Sequence, residues 1–367
     1  MQIKSFSVKN FKNFQNRVSF DFSKTRDYGF NSALIKNGLV NKALVYGYND
    51  SGKTNLGLAM MDITSHLGCG SSILSHDTYY LNAYSADECA EFTYVFLDNG
   101  QKEIIYSYKV GEDMRLQTEE VQVDGKLFFQ FNHRTGKYIN NFIEAKDIAI
   151  TQKSKDESAL KFMKEAIPNL SKDSPINEIV DFADAMVFSS SIRNRNDFDD
   201  GMHIEDIVSF IIENDCVKDF ESFLDKCDIH YDLLAIEASF GRSIGSIHDG
   251  KTADFLGMAS SGIYSLLVLY YRLKNKEKPL KFLYLDDFDS FYNFKLAKHV
   301  LSYINSDHSF QSVLTSNNSY LADNAFMRPD CYFLIKNGTI KSFADRTDKT
   351  IREGNSLEHL LISGAFE

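Results

Sequence analysis

GYNDSGKT, residues Gly47 to Thr54, is the stretch on which the fold turns. It satisfies the spacing G-x-x-x-x-G-K-[ST] at every fixed position. Gly47 and Gly52 let the backbone turn tightly, so that several N–H groups point inward. Those donors, with the N-terminus of a following helix, bind phosphate oxygens. Lys53 supplies a point charge for the β- and γ-phosphates, and Thr54 offers a hydroxyl to Mg²⁺. Asn49, Ser51 and Asn55 lie within or directly after the loop and are taken with it as nucleotide-binding positions. The context agrees. KALVY (42–46) is an apolar strand before the loop, and NLGLAMMDI (55–63) is a helix-like run after it.

A second signal lies far downstream in PLKFLYLDDFDSF (279–291). Its short apolar run ends in Asp286 and Asp287, as a buried parallel strand does when it delivers carboxylates to a ligand beyond its C-terminal end. Asp286 is then a candidate Mg²⁺ ligand. Asp287 is placed to act as a general base that orients the attacking water.

Between them stands MASSGIYSLL (258–267). Taken alone, Ser260-Ser261-Gly262 reads as a helix N-cap. In this order, after a phosphate loop and before an acidic strand, it resembles the Ser-x-Gly signature of the ABC ATPase superfamily. The resemblance implies that Ser260, Ser261 and Gly262 of one protomer face the γ-phosphate held by another. The physics is again a helix N-terminus aimed at an anion.

Periodicity divides the chain into three zones. Residues 1–150 look strand-rich, with period-two alternation at Val18, Phe20 and Phe22, at Phe92, Tyr94 and Phe96, and at Ile104, Tyr106, Tyr108 and Val110. Such alternation predicts half-buried antiparallel strands. Residues 151–235 contain ESALKFMKEAI and HIEDIVSFIIEN, whose three-and-four spacing predicts amphipathic helices. Residues 236–367 alternate strand and helix, predicting a parallel sheet. The expected fold class is α/β: an ABC-type P-loop NTPase head with an antiparallel β lobe and an inserted helical subdomain. Its lobes would be 1–150 with the phosphate loop and 236–367 with the signature and acidic strand.

Composition narrows the function classes. The 367 residues are 43% hydrophobic and 25% charged, with a net charge of -11. A stand-alone nucleic-acid binder is usually basic, so direct DNA binding gains no support from charge. The best basic run, Arg272, Lys274, Lys276, Lys278 and Lys281, reads as a solvated loop, as does the acidic cluster Asp197, Asp199 and Asp200. The five cysteines, Cys69, Cys89, Cys216, Cys227 and Cys331, form no CxxC pair, and free thiols suit a reducing cytoplasm. No apolar run of membrane-spanning length occurs, so no membrane association is expected.

Two further stretches refine the resemblance. The start, IKSFSVKNFKNF (3–14), is similar to the SMC and RecF group. That implies Asn10, Lys12 and Asn13 near the nucleotide. The segment MRPDCYFLIKNGTIKSFADRTDKTIREGNSLEHLLISGAF (327–366) resembles the ABC-type ATPases of bacterial abortive-infection and anti-phage systems, the Rlo, Abi, Septu and PARIS ATPases. The resemblance covers about 1–60 and 245–367. It implies ATP and Mg²⁺ as cofactors, a homodimer or higher homo-oligomer with ATP sandwiched at the signatures, and a paired nuclease or toxin effector.

This chain departs from the family pattern in four places. Asp287 stands where Glu is usual, and is one methylene shorter. Thr315-Ser316-Asn317 replaces Thr-Thr-His, and Asn317 can hydrogen-bond a γ-phosphate but carries no charge. Asn293 stands where an Asp is usual, and no Q-loop glutamine can be placed. Slow hydrolysis, with Lys53, Asp287 and Asn317 as the catalytic set, is therefore the expectation. A RecF- or SMC-like DNA clamp and a non-hydrolysing scaffold are the alternatives.

Overall fold

The computed structural model describes residues 1–67, 79–142, 157–167, 169–190, 203–238, 241–275 and 279–367. Asp197, Asp199, Asp200, Lys276, Lys278 and Cys69 lie outside the described residues.

In chain order, β1 (Gln2–Lys9) and β2 (Val18–Asp21) pair antiparallel, and β3 (Ile35–Lys36) and β4 (Leu39–Val40) form a small ribbon. β5 (Lys42–Tyr46) leads through the glycine loop into α1 (Lys53–Leu67). A meander follows: β6 (Cys89–Leu97), β7 (Glu103–Gly111), β8 (Leu116–Val123), β9 (Lys126–Asn132) and β10 (Tyr138–Asn140). Then come α2 (Ala159–Ala166), α3 (Pro175–Asp184), β11 (Met186–Ser190), α4 (Ile204–Glu213) and α5 (Val217–Lys226). A three-stranded antiparallel ribbon comprises β12 (Leu233–Ala238), β13 (Gly241–His248) and β14 (Lys251–Asp254). The remainder is α6 (Phe255–Met258), α7 (Ser261–Lys274), β15 (Phe282–Asp286), α8 (Phe294–Ser306), β16 (Gln311–Ser316), β17 (Tyr332–Lys336), β18 (Thr339–Ser342) and α9 (Leu357–Ile362).

Among the described residues, two large sheets carry the molecule. One is antiparallel, in the order β10-β9-β8-β7-β6-β1-β2. Its strands alternate buried and half-buried side chains, as β6 does along its whole length, because one face packs inward and the other meets solvent. The other runs β11-β15-β16-β5-β17-β18, parallel except for β18. β5, β15 and β16 are buried at every residue; β5 and β15 carry the apolar runs ALVY and FLYL, whereas β16 buries Gln311, Ser312, Thr315 and Ser316 beside Val313 and Leu314.

Helix α1 is held between the sheets. On the parallel side, the Tyr284 hydroxyl of β15 donates to the Lys53 carbonyl at 2.6 Å. On the antiparallel side, Tyr94 donates to the Ala59 carbonyl, and Tyr108 donates to Asp62 Oδ2 at 2.9 Å. The helix is buried on nearly every face, so it lacks a polar stripe. Gln311 stitches the layers at the other end of β16. Its Oε1 accepts from Ile3 N, and its Nε2 donates to the Ile3 and Val40 carbonyls.

Helices α2 to α5 fall in the span 151–235, read as helical from sequence. One strand in that span, β11, was not foreseen, and it pairs in parallel with β15 over Met186–Ser190. Its sequence, MVFSS, is three apolar residues followed by two polar ones and shows no period-two alternation. The β12–β14 ribbon was likewise not anticipated.

Candidate nucleotide site

The register of the parallel sheet brings three chain segments to one edge. Leu285 of β15 pairs with Leu314 of β16, and Ser316 of β16 pairs with Tyr46 of β5. Asp286, Asn317 and Gly47 therefore leave the sheet side by side, at the C-terminal ends of adjacent strands, where open α/β sheets bind ligands.

The glycines of the loop are required by shape. Gly52 has φ +99°, a conformation that side chains rarely adopt, and a Cβ there would lie 2.5 Å from Asn13 Nδ2. At Gly47 a Cβ would lie 2.3 Å from Ser51 Oγ and 2.5 Å from Ile335 Cγ2. Ser51 Oγ is buried with no hydrogen-bond partner among the described residues. A buried orphan hydroxyl is uncommon, and here it lies in a loop whose backbone suits phosphate oxygens.

Lys53 folds back over its own loop. Its Nζ donates to the Gly47 carbonyl at 2.9 Å and to Asn317 Oδ1 at 2.7 Å. Burial lowers its pKa, while Asp287, Asp286 and Asp289 act to raise it. Asn317 Nδ2 in turn donates to Asn49 Oδ1 at 3.1 Å, so Asn317 touches both the loop and its lysine. Thr54 Oγ1 donates to Asp286 Oδ2 at 2.8 Å, and Thr315 Oγ1 donates to Asp286 Oδ1 at 2.9 Å. Asp286 is almost fully buried. A hydroxyl and a carboxylate converging at a phosphate loop fit Mg²⁺, which takes one or two protein oxygens beside substrate phosphates and water.

Asp287 adopts φ 46° as the chain turns out of β15, and its N–H donates to Thr315 Oγ1 at 2.7 Å. Burial raises its carboxyl pKa, neighbouring Asp286 adds to the rise, and Lys53 opposes it. Asp289 was not singled out from sequence. Its carboxyl pKa is also raised by burial, against hydrogen bonds from Ser316 and Asn318 that favour the anion. The signal was present in the D-D-x-D spacing. Thr315, read from sequence only as the first residue of the Thr315-Ser316-Asn317 triplet, links Asp286 to the backbone of Asp287.

Of the N-terminal residues, Asn13 accepts from Asn55 Nδ2 at 2.8 Å and adjoins Gly52. Lys12 Nζ donates to the Tyr79 carbonyl at 3.4 Å. Asn10 is fully buried, and its amide donates to the Asp87 and Cys89 carbonyls. It anchors the segment before β6.

The signature residues lie elsewhere on the chain. Ser260 caps α7, its Oγ accepting from Ile263 N at 3.4 Å. Ser260 and Gly262 line a cavity with Phe291, Asn293 and the 227–229 turn, and none of its lining residues belongs to the loop 47–54. Ser260 and Ser261 are exposed.

Comparison with solved structures decides the architecture. An SMC head bound to the C-winged helix domain of ScpA superposes with a TM-score of 0.50 at 15% identity, over 93% of this chain and 97% of that one. This is the head fold of ABC-type P-loop ATPases. The SMC head of Thermotoga maritima (TM-score 0.46, 15% identity, 93% of this chain and 98% of that one) is similar. So is an SMC head with coiled coil and joint from Pyrococcus yayanosii (0.48, 12%, 100% of both). No protein-family model and no curated protein matches the chain. No described helix is long and apolar enough to cross a membrane.

Proposed function

We propose that this chain binds and slowly hydrolyses ATP, pairs with a second copy around the nucleotide, and governs a partner effector. The observation that carries the reading is the convergence of Lys53, Thr54, Asp286, Asp287 and Asn317 at one sheet edge, around a loop with an orphan hydroxyl.

Each residue has a task in that reading. The loop N–H groups and Lys53 hold the phosphates, Lys53 exchanging the Gly47 carbonyl for a phosphate oxygen. Thr54 and Asp286 would hold Mg²⁺, which neutralises charge on the transferring phosphoryl group. Asp287 orients and deprotonates the water. Its short side chain, and the lack of charge at Asn317, make this step slow. A site of this kind is finished by groups placed where charge develops, and the cavity lined by Ser260 and Gly262 contains no residue of the loop 47–54. A second copy would supply the signature. Exposed apolar side chains lie beside the loop and beside the separate signature segment: Tyr48 in the loop (65% exposed), Met258 before the signature (53%), Phe294 after Asn293 (59%) and Tyr320 after Asn317 (61%). Phe294 and Tyr320 lie side by side, their ring centroids 6.4 Å apart, and paired exposed aromatic rings favour an interaction surface there.

The effector reading, a nuclease or toxin in anti-phage defence, rests on the resemblance of residues 327–366. The DNA-clamp alternative has less support, since Lys274 of the basic run is paired with Asp219 at 2.8 Å. Phosphate release and sedimentation with ATP and Mg²⁺ test the core of the proposal. Wild type should hydrolyse slowly and associate with ATP, whereas Lys53→Ala should do neither and Ser260→Arg should bind ATP without associating. Association independent of nucleotide would overturn the ATP-sandwich reading. Tight, salt-sensitive DNA binding would favour the clamp. Loss of phage protection by Lys53→Ala, in cells carrying the chain with its neighbouring gene, tests the defence role.

A further inference from the structure

The cavity beside Ser260 carries charge that the reading above leaves unused. Its volume is about 420 Å³, and its wall includes Asp228, Ser260, Gly262, Asn293, Lys295 and His299. Lys295 and His299 are four residues apart on α8, so their side chains share one face. Both address the same carboxylate. Lys295 Nζ is ion-paired with Asp228 Oδ2, and His299 Nε2 lies 3.9 Å from that oxygen. His230 approaches the other oxygen at 3.8 Å while its Nδ1 contacts Asp225 at 2.8 Å. An anion is therefore already present at this wall, and it belongs to the chain itself.

We propose that Asp228 is an internal competitor for this pocket. In the associated pair, Lys295 and His299 engage the terminal phosphates of a nucleoside triphosphate carried by the second copy, and release Asp228 to do so. The inference rests on the two-copy reading given above.

The magnitudes favour exchange. Lys295 and Asp228 are 66% and 42% exposed, and exposed pairs of this kind contribute only about 0–1 kcal/mol. A triphosphate brings more negative charge than one carboxylate and offers several acceptors to each cation. Closure of a second copy also removes water and strengthens whatever pair it encloses. The contact with Asp228 thus stabilises the single chain slightly and sets a threshold for association, without touching the phosphate loop. Asp228 has φ 63°, a conformation that Asn tolerates as well as Asp, so Asp228→Asn removes the charge and keeps the turn.

The test is sedimentation of the full chain over a range of concentrations with Mg²⁺ and β,γ-imido-ATP. Glu112→Gln, an exposed carboxylate in the β7–β8 turn, controls for the change in net charge. Asp228→Asn should lower the concentration for half-association about two- to fivefold relative to Glu112→Gln. Lys295→Ala should raise it, and in the Lys295→Ala/His299→Ala background Asp228→Asn should add nothing. Binding of a fluorescent ATP analogue to the dilute single chain should be the same in all. If wild type associates and Asp228→Asn behaves like Glu112→Gln, or associates less, this inference is overturned while the two-copy reading stands. If wild type stays single at saturating nucleotide, both fall.

Discussion

Thr54 and Asp286 stand 232 positions apart in the chain and are joined by a hydrogen bond of 2.8 Å from hydroxyl to Oδ2. The bond ties the first turn of α1 to the end of β15, and both oxygens face the place where Mg²⁺ would sit. Asp286→Asn keeps the shape and one acceptor but loses the charge. It should reduce ATP hydrolysis about a hundredfold or more, the scale seen when one charge-stabilising group is removed. Titration with Mg²⁺ should show a raised half-saturation point, whereas ATP binding without metal should change little.

In the proposed mechanism Asp287 serves a different step. Asp287→Asn should abolish phosphate release while leaving ATP binding and association intact. Asp287→Glu adds the methylene that the family pattern has, and should raise turnover severalfold. The carboxyl pKa is raised by burial and by Asp286, and the ionised form is the active base. Turnover should therefore fall as pH drops, with its acid limb above that of an ordinary aspartate. A pH–rate profile of wild type checks this.

Lys42 lies at the opposite end of β5 from the phosphate loop and is fully buried. Its Nζ donates to the Phe310 carbonyl at 2.9 Å and sits 3.6 Å from that ring's centroid. Burial lowers its pKa from 10.5 to about 7. Between those values the unfolded chain binds a proton that the folded chain does not. Stability should rise with pH across that window, by up to about 1.4 kcal/mol per pH unit. Lys42→Met should flatten this slope and be more stable than wild type at pH 7. Urea unfolding at pH 7 and pH 9 measures both effects.

Glu119 in β8 is fully buried and fully engaged. It accepts from Tyr106 (2.7 Å), Ser158 (2.6 Å) and Ala159 N (2.7 Å), and faces His133 Nε2 at 2.7 Å. Ser158 and Ala159 form the start of α2, so this carboxylate pins the helix start to the sheet. Burial acts to raise its pKa, but the contacts from His133, Ser158 and Tyr106 outweigh it, and the net shift is downward. Its contribution is present above the ordinary glutamate range and is lost as pH falls through the depressed value. Glu119→Ala should cost about 3–5 kcal/mol, because it strands several buried partners. Thermal unfolding reads this loss, and ATP binding should persist in the folded fraction.

Much of this was legible in the chain. GYNDSGKT, the strand before it and the helix after it could be read directly, because a phosphate loop packs its chemistry into eight consecutive residues. The half-buried strands β6 and β7 and the apolar strand β15 were equally plain, since burial on one face writes a period of two and burial on both writes an apolar run. Tertiary structure alone decided the rest. It placed β11 in the parallel sheet, turned Asn10 into a structural bracket and brought Asp228 to Lys295. These depend on which distant segments meet, and a contact between residues far apart leaves no period in either segment. The loop at 47–54 marked where a triphosphate would bind. Only the register of β5, β15 and β16 assembled Lys53, Asp286 and Asn317 around it.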